Sequence, residues 1–445
     1  MFYRLLRAVV RVALRLFYRV RVTGAALDLD GPVIFVGNHP NGLIDPSLVF
    51  VLTPRQVTFL AKAPLFKVPV IAQLIQGMGA LPVYRKQDDP TLMGKNEGTL
   101  DTCVEALAAG RAITIFPEGR SHSEPQLAEL KTGCARIALR AARRGAPVRI
   151  IPIGLTYAQK HRFRSEVLLD VGPALEVAPF AKDDDDHAAA RALTERIADA
   201  LRAVTLNLER WEDLPLIQTA EELYALRHSE AAKDPARIRA FSRGVEILRA
   251  EQPDRFQLLR REAMSFRRRL DLVRADPSDL QVVYRRGPVY WFALRNLAAL
   301  LLGLPLFLLG MALYAIPFEI PRLVVRLSRV PHDLKATVKV LTLLVLAPLW
   351  AALMTAVAWK VGGATSGLAT AALCLPLALF TRYFYERRRS ALRDALTFLV
   401  LIRRSSLRAR LLVEGERLAS EIEQLADELR PRVAAPDGAA VGPGT

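Results

Sequence analysis

The chain has 445 residues, 51% of them apolar, enough to bury the cores of two or three domains and too many for a disordered protein. Its formal net charge of +17 calls for an anionic partner: nucleic acid, anionic lipid or a phosphorylated substrate. The aromatics lie mostly in apolar segments, which argues against single-stranded nucleic acid, and the three scattered cysteines, Cys103, Cys134 and Cys374, argue against a disulfide framework and fit a cytosol-facing catalytic domain.

Residues 1–22 read as an amphipathic helix. Arg4, Arg7, Arg11, Arg15 and Arg19 recur every three or four positions and share one face. That pattern suits a helix lying in the bilayer interface with its arginines toward lipid phosphates; a surface helix packed on its own domain is the alternative. Over residues 24–215, strands at 33–37, 57–61, 80–84, 112–116, 149–155 and 166–171 alternate with helices at 46–52, 65–76, 92–109, 130–144 and 187–208. The fold class is therefore α/β, a mixed sheet flanked by helices. The run Asp183-Asp184-Asp185-Asp186-His187 is not a metal site on this reading. Consecutive carboxylates cannot all face one ion, and acid at a helix start complements the dipole.

Residues 216–290 read as a charged helical appendage, with Pro235, Pro253 and Pro277, like Pro215 just before it, as breaks. Residues 291–385 hold three apolar stretches of bilayer-spanning length, at about 297–318, 340–359 and 361–380. Arg322, Arg326, Arg329, Lys335 and Lys339 precede the last two stretches, and Arg382, Arg387, Arg388 and Arg389 follow them. These two form a hairpin with cytoplasmic ends, turning at Gly362-Gly363. The same rule conflicts for the first stretch, because Arg285, Arg286 and Arg295 come before it. A re-entrant segment kinked near Gly303 and Pro305 resolves the conflict, with a simple span as the alternative. Residues 386–432 read as a basic then acidic helix, and the Gly-, Pro- and Ala-rich tail 433–445 as disordered.

Two short stretches carry the chemistry. Asn38-His39-Pro40-Asn41-Gly42-Leu43-Ile44-Asp45-Pro46 follows the buried run Val33–Val36. An imidazole can take a proton from a hydroxyl as the oxygen attacks a thioester carbonyl. A carboxylate on the other ring nitrogen fixes the tautomer and stabilises the cation. His39 is thus the candidate general base and Asp45 its partner, with Pro40 and Gly42 making the turn. A turn with a capping Asp45 and a hydrogen-bonded surface histidine is the competing reading of that segment alone. Phe116-Pro117-Glu118-Gly119-Arg120-Ser121-His122 projects from the second strand end. Arg120 suits a phosphate, Glu118 a hydroxyl or that arginine, Gly119 close backbone approach, and Ser121 an added hydroxyl. His122 reads as solvated or capping. Arg85 ends strand 80–84 as a second phosphate ligand, beside a solvated Lys86, and Lys131 supports an anion at a helix start. Val148–Gly154, with Pro152, reads as a buried strand lining the substrate channel. No serine or cysteine sits in a nucleophile elbow, which favours direct transfer.

These blocks, in this order, resemble the phospholipid and glycerol acyltransferase (PlsC-like) superfamily. Five residues separate His39 from Asp45 where the family signature has four. Together with Phe116–His122, Pro125, Leu127, Leu130, Lys131 and Gly133, this spacing resembles the glycerol-3-phosphate and dihydroxyacetone-phosphate acyltransferase branch. That branch also carries membrane segments after its catalytic domain. The resemblance implies an acyltransferase domain over about 24–215. It makes His39 the general base and Asp45 its partner, and gives Arg85, Glu118, Gly119 and Arg120 to the glycerol phosphate. The implied reaction moves a fatty acyl group from acyl-CoA or acyl-carrier protein to glycerol 3-phosphate or 1-acylglycerol 3-phosphate, feeding phosphatidic acid synthesis. No bound cofactor is expected. The expected partners are the lipid bilayer, the glycerol-phosphate acceptor, the acyl thioester and, where it is the donor, acyl-carrier protein, with no nucleic acid. The expected location is the cytoplasmic face of a membrane, multi-pass or hairpin-anchored. Rival readings are transfer to another lysolipid or amine-bearing acceptor, and a non-catalytic membrane scaffold of the same fold.

Overall fold

The computed structural model describes residues 2–25, 30–69, 71–85, 89–182, 185–228, 232, 234–281, 286–328, 330–403 and 405–434. Lys86, Asp183, Asp184, Arg285, Arg329 and the tail 435–445 lie outside them. The chain divides into two compact units, one of residues 1–206 with 319–346 and one of 207–318 with 347–445.

The first unit is a three-layer α/β structure. Its strands are β1 (Tyr18–Gly24), β2 (Val33–Gly37), β3 (Val57–Lys62), β4 (Ala80–Val83), β5 (Ala112–Ile115), β6 (Arg149–Tyr157), β7 (Ser165–Val171) and β8 (Leu175–Glu176). They lie in the order β1-β7-β6-β2-β5-β3-β4, with β8 also on β6. Pairing is parallel except where β6 meets β7 and β8. The apolar run of β2 reflects cover on both faces. Ile34 and Val36 pack with α4 (Asn96–Ala108), α5 (Gly133–Arg143) and α6 (Asp186–Val204). Val33 and Phe35 pack with α1 (Phe2–Phe17) and α2 (Ile44–Leu52). A short helix, α3 (Ile71–Gly77), precedes β4. Asp185 caps α6 by accepting from the His187 and Ala188 amides at 2.8 and 3.1 Å.

The N-terminal helix stops at Phe17, and residues 18–24 are an edge strand parallel to β7, not the last turn of a helix to residue 22. Two of its arginines bond carbonyls at and just beyond the α2 C-terminus: Arg7 donates to Pro54 O at 2.9 Å and Arg11 to Val51 O at 2.8 Å. Cations there complement the helix dipole. Val10, Leu14 and Phe17 are buried on the domain, while Phe2, Leu5, Val9 and Val12 face outward. The expected helix 65–76 is a 3-10 turn, Ala63–Lys67, followed by α3.

The second unit holds α7 (Leu214–Arg227), α8 (Pro235–Glu251), α9 (Pro253–Val273), α10 (Pro277–Gln281) and α13 (Ser405–Ala434), with much of α11 (Arg286–Ser328) and α12 (Lys335–Arg403). Pro215, Pro235, Pro253 and Pro277 lie in the first turns of α7–α10. Each opens a helix because its fixed φ suits a position whose N–H would go unpaired. Helix α13 packs on α7, α8 and α9, burying Leu418 and Ile422. Two helical stretches, Leu294–Ser328 and His332–Arg388, are long and apolar enough to cross a bilayer, each holding an 18-residue segment of mean hydropathy 2.3. The second bends at Gly363, φ +77° and ψ −173°, where the sequence places a turn. Gly303 sits against the Phe384 ring and Gly310 against Thr381, so small residues let these helices approach closely.

Candidate active site

Topology gathers the candidate residues. The parallel strands β5, β2 and β6 are neighbours; the loops carrying Glu118 and His39 leave the carboxyl ends of β5 and β2, and Tyr157 ends β6 beside them. Open α/β sheets place ligands at that edge.

Asp45, the second residue of α2, is fully buried. His39 Nδ1 lies 2.9 Å from its Oδ2. The Asn41 amide donates to the same oxygen at 2.6 Å, and the Tyr157 hydroxyl donates to Oδ1 at 2.6 Å. The five-residue spacing is absorbed by a turn in which Gly42 takes φ +38°. The His39 ring stacks on Phe116, 4.4 Å between centroids and 19° between planes. With Nδ1 given to the carboxylate, Nε2 is the ring atom left to carry the basic lone pair. Burial and the Asp45 charge push the Tyr157 phenol well above its ordinary value, so it stays a donor. Asn38 ties the loop to β6: its amide donates to Leu155 O at 3.1 Å, and its oxygen accepts from Leu155 N at 2.7 Å.

Glu118 is buried and works inward. It accepts from the His39 amide at 2.7 Å, the Ala128 amide at 2.9 Å and the His122 ring. His122 is therefore a nearly buried partner of Glu118 rather than a solvated residue, and of the two roles expected from sequence it keeps the capping one, its Nδ1 accepting from the Glu124 amide at 3.2 Å. Its own amide donates to His39 O at 3.0 Å, so the two motif loops are laced together.

Residues 19–156 match the acyltransferase family model. That segment is an acyltransferase-family domain. Over 155 residues the chain is 32% identical to glycerol-3-phosphate O-acyltransferase 1 of Saccharomyces cerevisiae, covering 33% of this chain and 20% of the yeast protein. Over 141 residues it is 27% identical to a chloroplastic 1-acyl-sn-glycerol-3-phosphate acyltransferase of Arabidopsis thaliana, covering 31% of this chain and 36% of that protein. The chain thus spans about a fifth of the first relative's length and about a third of the second's. A solved structure of the 1-acyl-sn-glycerophosphate acyltransferase PlsC from Thermotoga maritima aligns with 20% identity and TM-score 0.33, over 45% of this chain and 80% of that one.

Within the acyltransferase domain the other predicted residues spread around the dyad. Arg120 pairs with Glu124 at 2.8 Å, both about half exposed. Arg85 donates to Gly119 O at 3.3 Å. Gly119 has φ +69°, and the Lys131 stem passes beside it. The Ser121 hydroxyl is bound to Asp333. Pro152 sits inside β6 against Gly172.

Asp333 belongs to a strap, residues 331–340, that sequence reading did not connect to the site. It crosses the two motif loops of its own unit. Leu43 N donates to Thr337 Oγ1 at 3.3 Å, and Leu334 packs on Gly42. Ala336 is fully buried in the core shared with α1 and α2. Beside the strap lies an apolar cleft of about 30 Å³, lined by Leu14, Leu43, Ile44, Leu74, Val340 and Leu344. Among the described residues, no three His, Cys, Asp or Glu side chains are grouped to hold a metal ion.

Proposed function

We propose that the protein transfers a fatty acyl group from a CoA or acyl-carrier-protein thioester to a hydroxyl of glycerol 3-phosphate or its 1-acyl derivative. The observation that carries this reading is the buried carboxylate of Asp45, held by the Tyr157 hydroxyl and the Asn41 amide and bonded to one nitrogen of an imidazole. His39 Nε2 takes the acceptor hydroxyl proton as that oxygen attacks the thioester carbonyl. The tetrahedral intermediate expels the thiolate, the C–S bond breaks, and the imidazolium returns its proton to sulfur. Asp45 stabilises the imidazolium during the step. Because a thioester is already activated, no covalent enzyme intermediate is needed.

The two long apolar helices, the outward apolar residues of α1 and the net positive charge support a membrane-bound enzyme working on anionic substrates. Basic residues flanking the hairpin favour catalysis at the cytoplasmic face. The strap cleft, with Val10 and Leu14 of α1 on its wall, offers a start for the acyl chain. Relatives acting on both glycerol 3-phosphate and its 1-acyl ester keep both acceptors in the reading.

The test is His39→Ala assayed with glycerol 3-phosphate, 1-acylglycerol 3-phosphate and an acyl-CoA. Turnover falls by about 10²- to 10⁴-fold while membrane insertion is unchanged. Full activity in that variant rejects the mechanism, and no thioester turnover by the unsubstituted protein favours a scaffold.

A further inference from the structure

We infer that Lys160, His161, His332, Lys335 and Lys339 form a phosphomonoester-binding site beside the dyad, two from the loop after β6 and three from the strap. The inference rests on the proposed function for its two candidate ligands, but its geometry stands alone. Lys160 lies three residues beyond Tyr157. Its Nζ donates to His122 O at 3.3 Å and to Ser123 Oγ at 3.1 Å. Its carbonyl accepts from the Tyr18 hydroxyl, which also accepts from Asn41 at 3.1 Å. The backbone that aims this lysine is thus pinned to the catalytic loop. Lys339 Nζ donates to His161 O at 2.6 Å, and the His161 and His332 rings meet edge to face at 4.9 Å. Lys335 acts electrostatically on both rings.

This is an excess of positive charge. Lys160 and Lys339 are met by carbonyl and hydroxyl oxygens, and among the described residues no carboxylate forms an ion pair with these two or with Lys335. Asp333 is the acid of the strap; it accepts from Ser121, and its charge reaches Lys160 and His332 without an ion pair to either. Asp45 and Glu118 act on Lys160 from a distance, with their oxygens held by other donors. His161 Nδ1 is buried with no hydrogen-bond partner. Burial is the main reason that Lys160 and His161 are pushed below their ordinary pKa values, and for His161 the neighbouring Lys339, His332 and Lys335 add to it. Clustering cations out of water is unfavourable unless an anion compensates. A phosphomonoester, with about −1.5 to −2 charges and three acceptor oxygens, fits several point-charge donors and a ring nitrogen.

The phosphate has two possible sources, the acceptor or the nucleotide of a CoA donor. Full-length protein in nanodiscs, carrying His39→Ala to stop turnover, is titrated calorimetrically with glycerol 3-phosphate and with an acyl-CoA. Inorganic phosphate is included as a competitor. Lys160→Gln, Lys339→Gln and His332→Asn are added singly. Loss of a charge-assisted hydrogen bond predicts about 10- to 100-fold weaker binding for the lysine variants. If only glycerol 3-phosphate weakens, the acceptor phosphate sits here; if only acyl-CoA weakens, the donor phosphate does; weakening of both also supports the site. Unchanged affinity for both ligands in variants with unchanged melting midpoints overturns it, as does the absence of phosphate competition. His332→Asn, at an exposed ring, gives a readout if a lysine variant fails to fold. Glycerol 3-phosphate binding at this site, together with no acyl transfer by the protein with His39 intact, would sink the proposed function and leave this site standing.

Discussion

At the scale of single residues, the site depends on a carboxylate with no solvent contact. Removing the Tyr157 hydroxyl leaves Asp45 Oδ1 short of a donor while the ring still fills its place. Tyr157→Phe is expected to lower kcat about tenfold at unchanged KM, with about 1–2 kcal/mol lost in denaturant unfolding. A fall in KM specificity without a kcat effect would contradict this. Cys103 and Cys134 make a separate prediction. Burial pushes both thiols up to about 12, so at pH 8 only about one in 10⁴ is thiolate. Iodoacetamide should leave both unlabelled until denaturant is added, as peptide mass analysis would report. The His39–Asp45 pair was legible because both residues sit on one turn. Tyr157 was not, because 112 positions separate it from Asp45 and a tyrosine ending a strand has no distinctive spacing. His122 was half legible: its Nδ1 accepts from the Glu124 amide at 3.2 Å, as a capping side chain does, but its bond to Glu118 could not be seen in the string.

At the scale of elements, most strands were legible because buried parallel strands are continuous apolar runs. The exception, β1, alternates arginine with valine at Arg19, Val20, Arg21 and Val22, a two-residue period. The arginines of α1 continue into it at helical spacing as far as Arg19, and that longer pattern masked the shorter one. The strap shows the opposite limit. Its bonds to the loops at Leu43 and Ser121 span 294 and 212 positions, and no local pattern announces them. Gly42→Ala tests this packing. A Cβ there would stand 2.7 Å from Leu334 Cδ2 and 3.1 Å from Asp333 O, at a φ that L-residues resist. The expected cost is about 1–3 kcal/mol, with activity falling because the dyad turn moves. A fully active variant with an unchanged melting midpoint would show that the strap does not hold the turn.

At the scale of the whole molecule, the apolar stretches were legible by length and absence of charge, and the Gly363 bend lies where the glycine pair suggested a turn. The conflict of charges around the first stretch remains the test of topology. In sealed vesicles, Ala364→Cys should react with an impermeant maleimide from the face opposite to the one that labels Ser328→Cys. Labelling of both from one face would reject the hairpin. The strap has one more consequence. The acyltransferase match ends at residue 156, yet part of the cover over its His39–Asp45 turn is encoded more than 170 positions later. A gene shortened to the matched stretch would yield a sheet with its roof torn off, greasy where Ala336 had been seated and lacking Asp333 to hold Ser121. The candidate site and the apolar helices are therefore coupled through the strap: simple excision of the matched stretch would not leave that site whole.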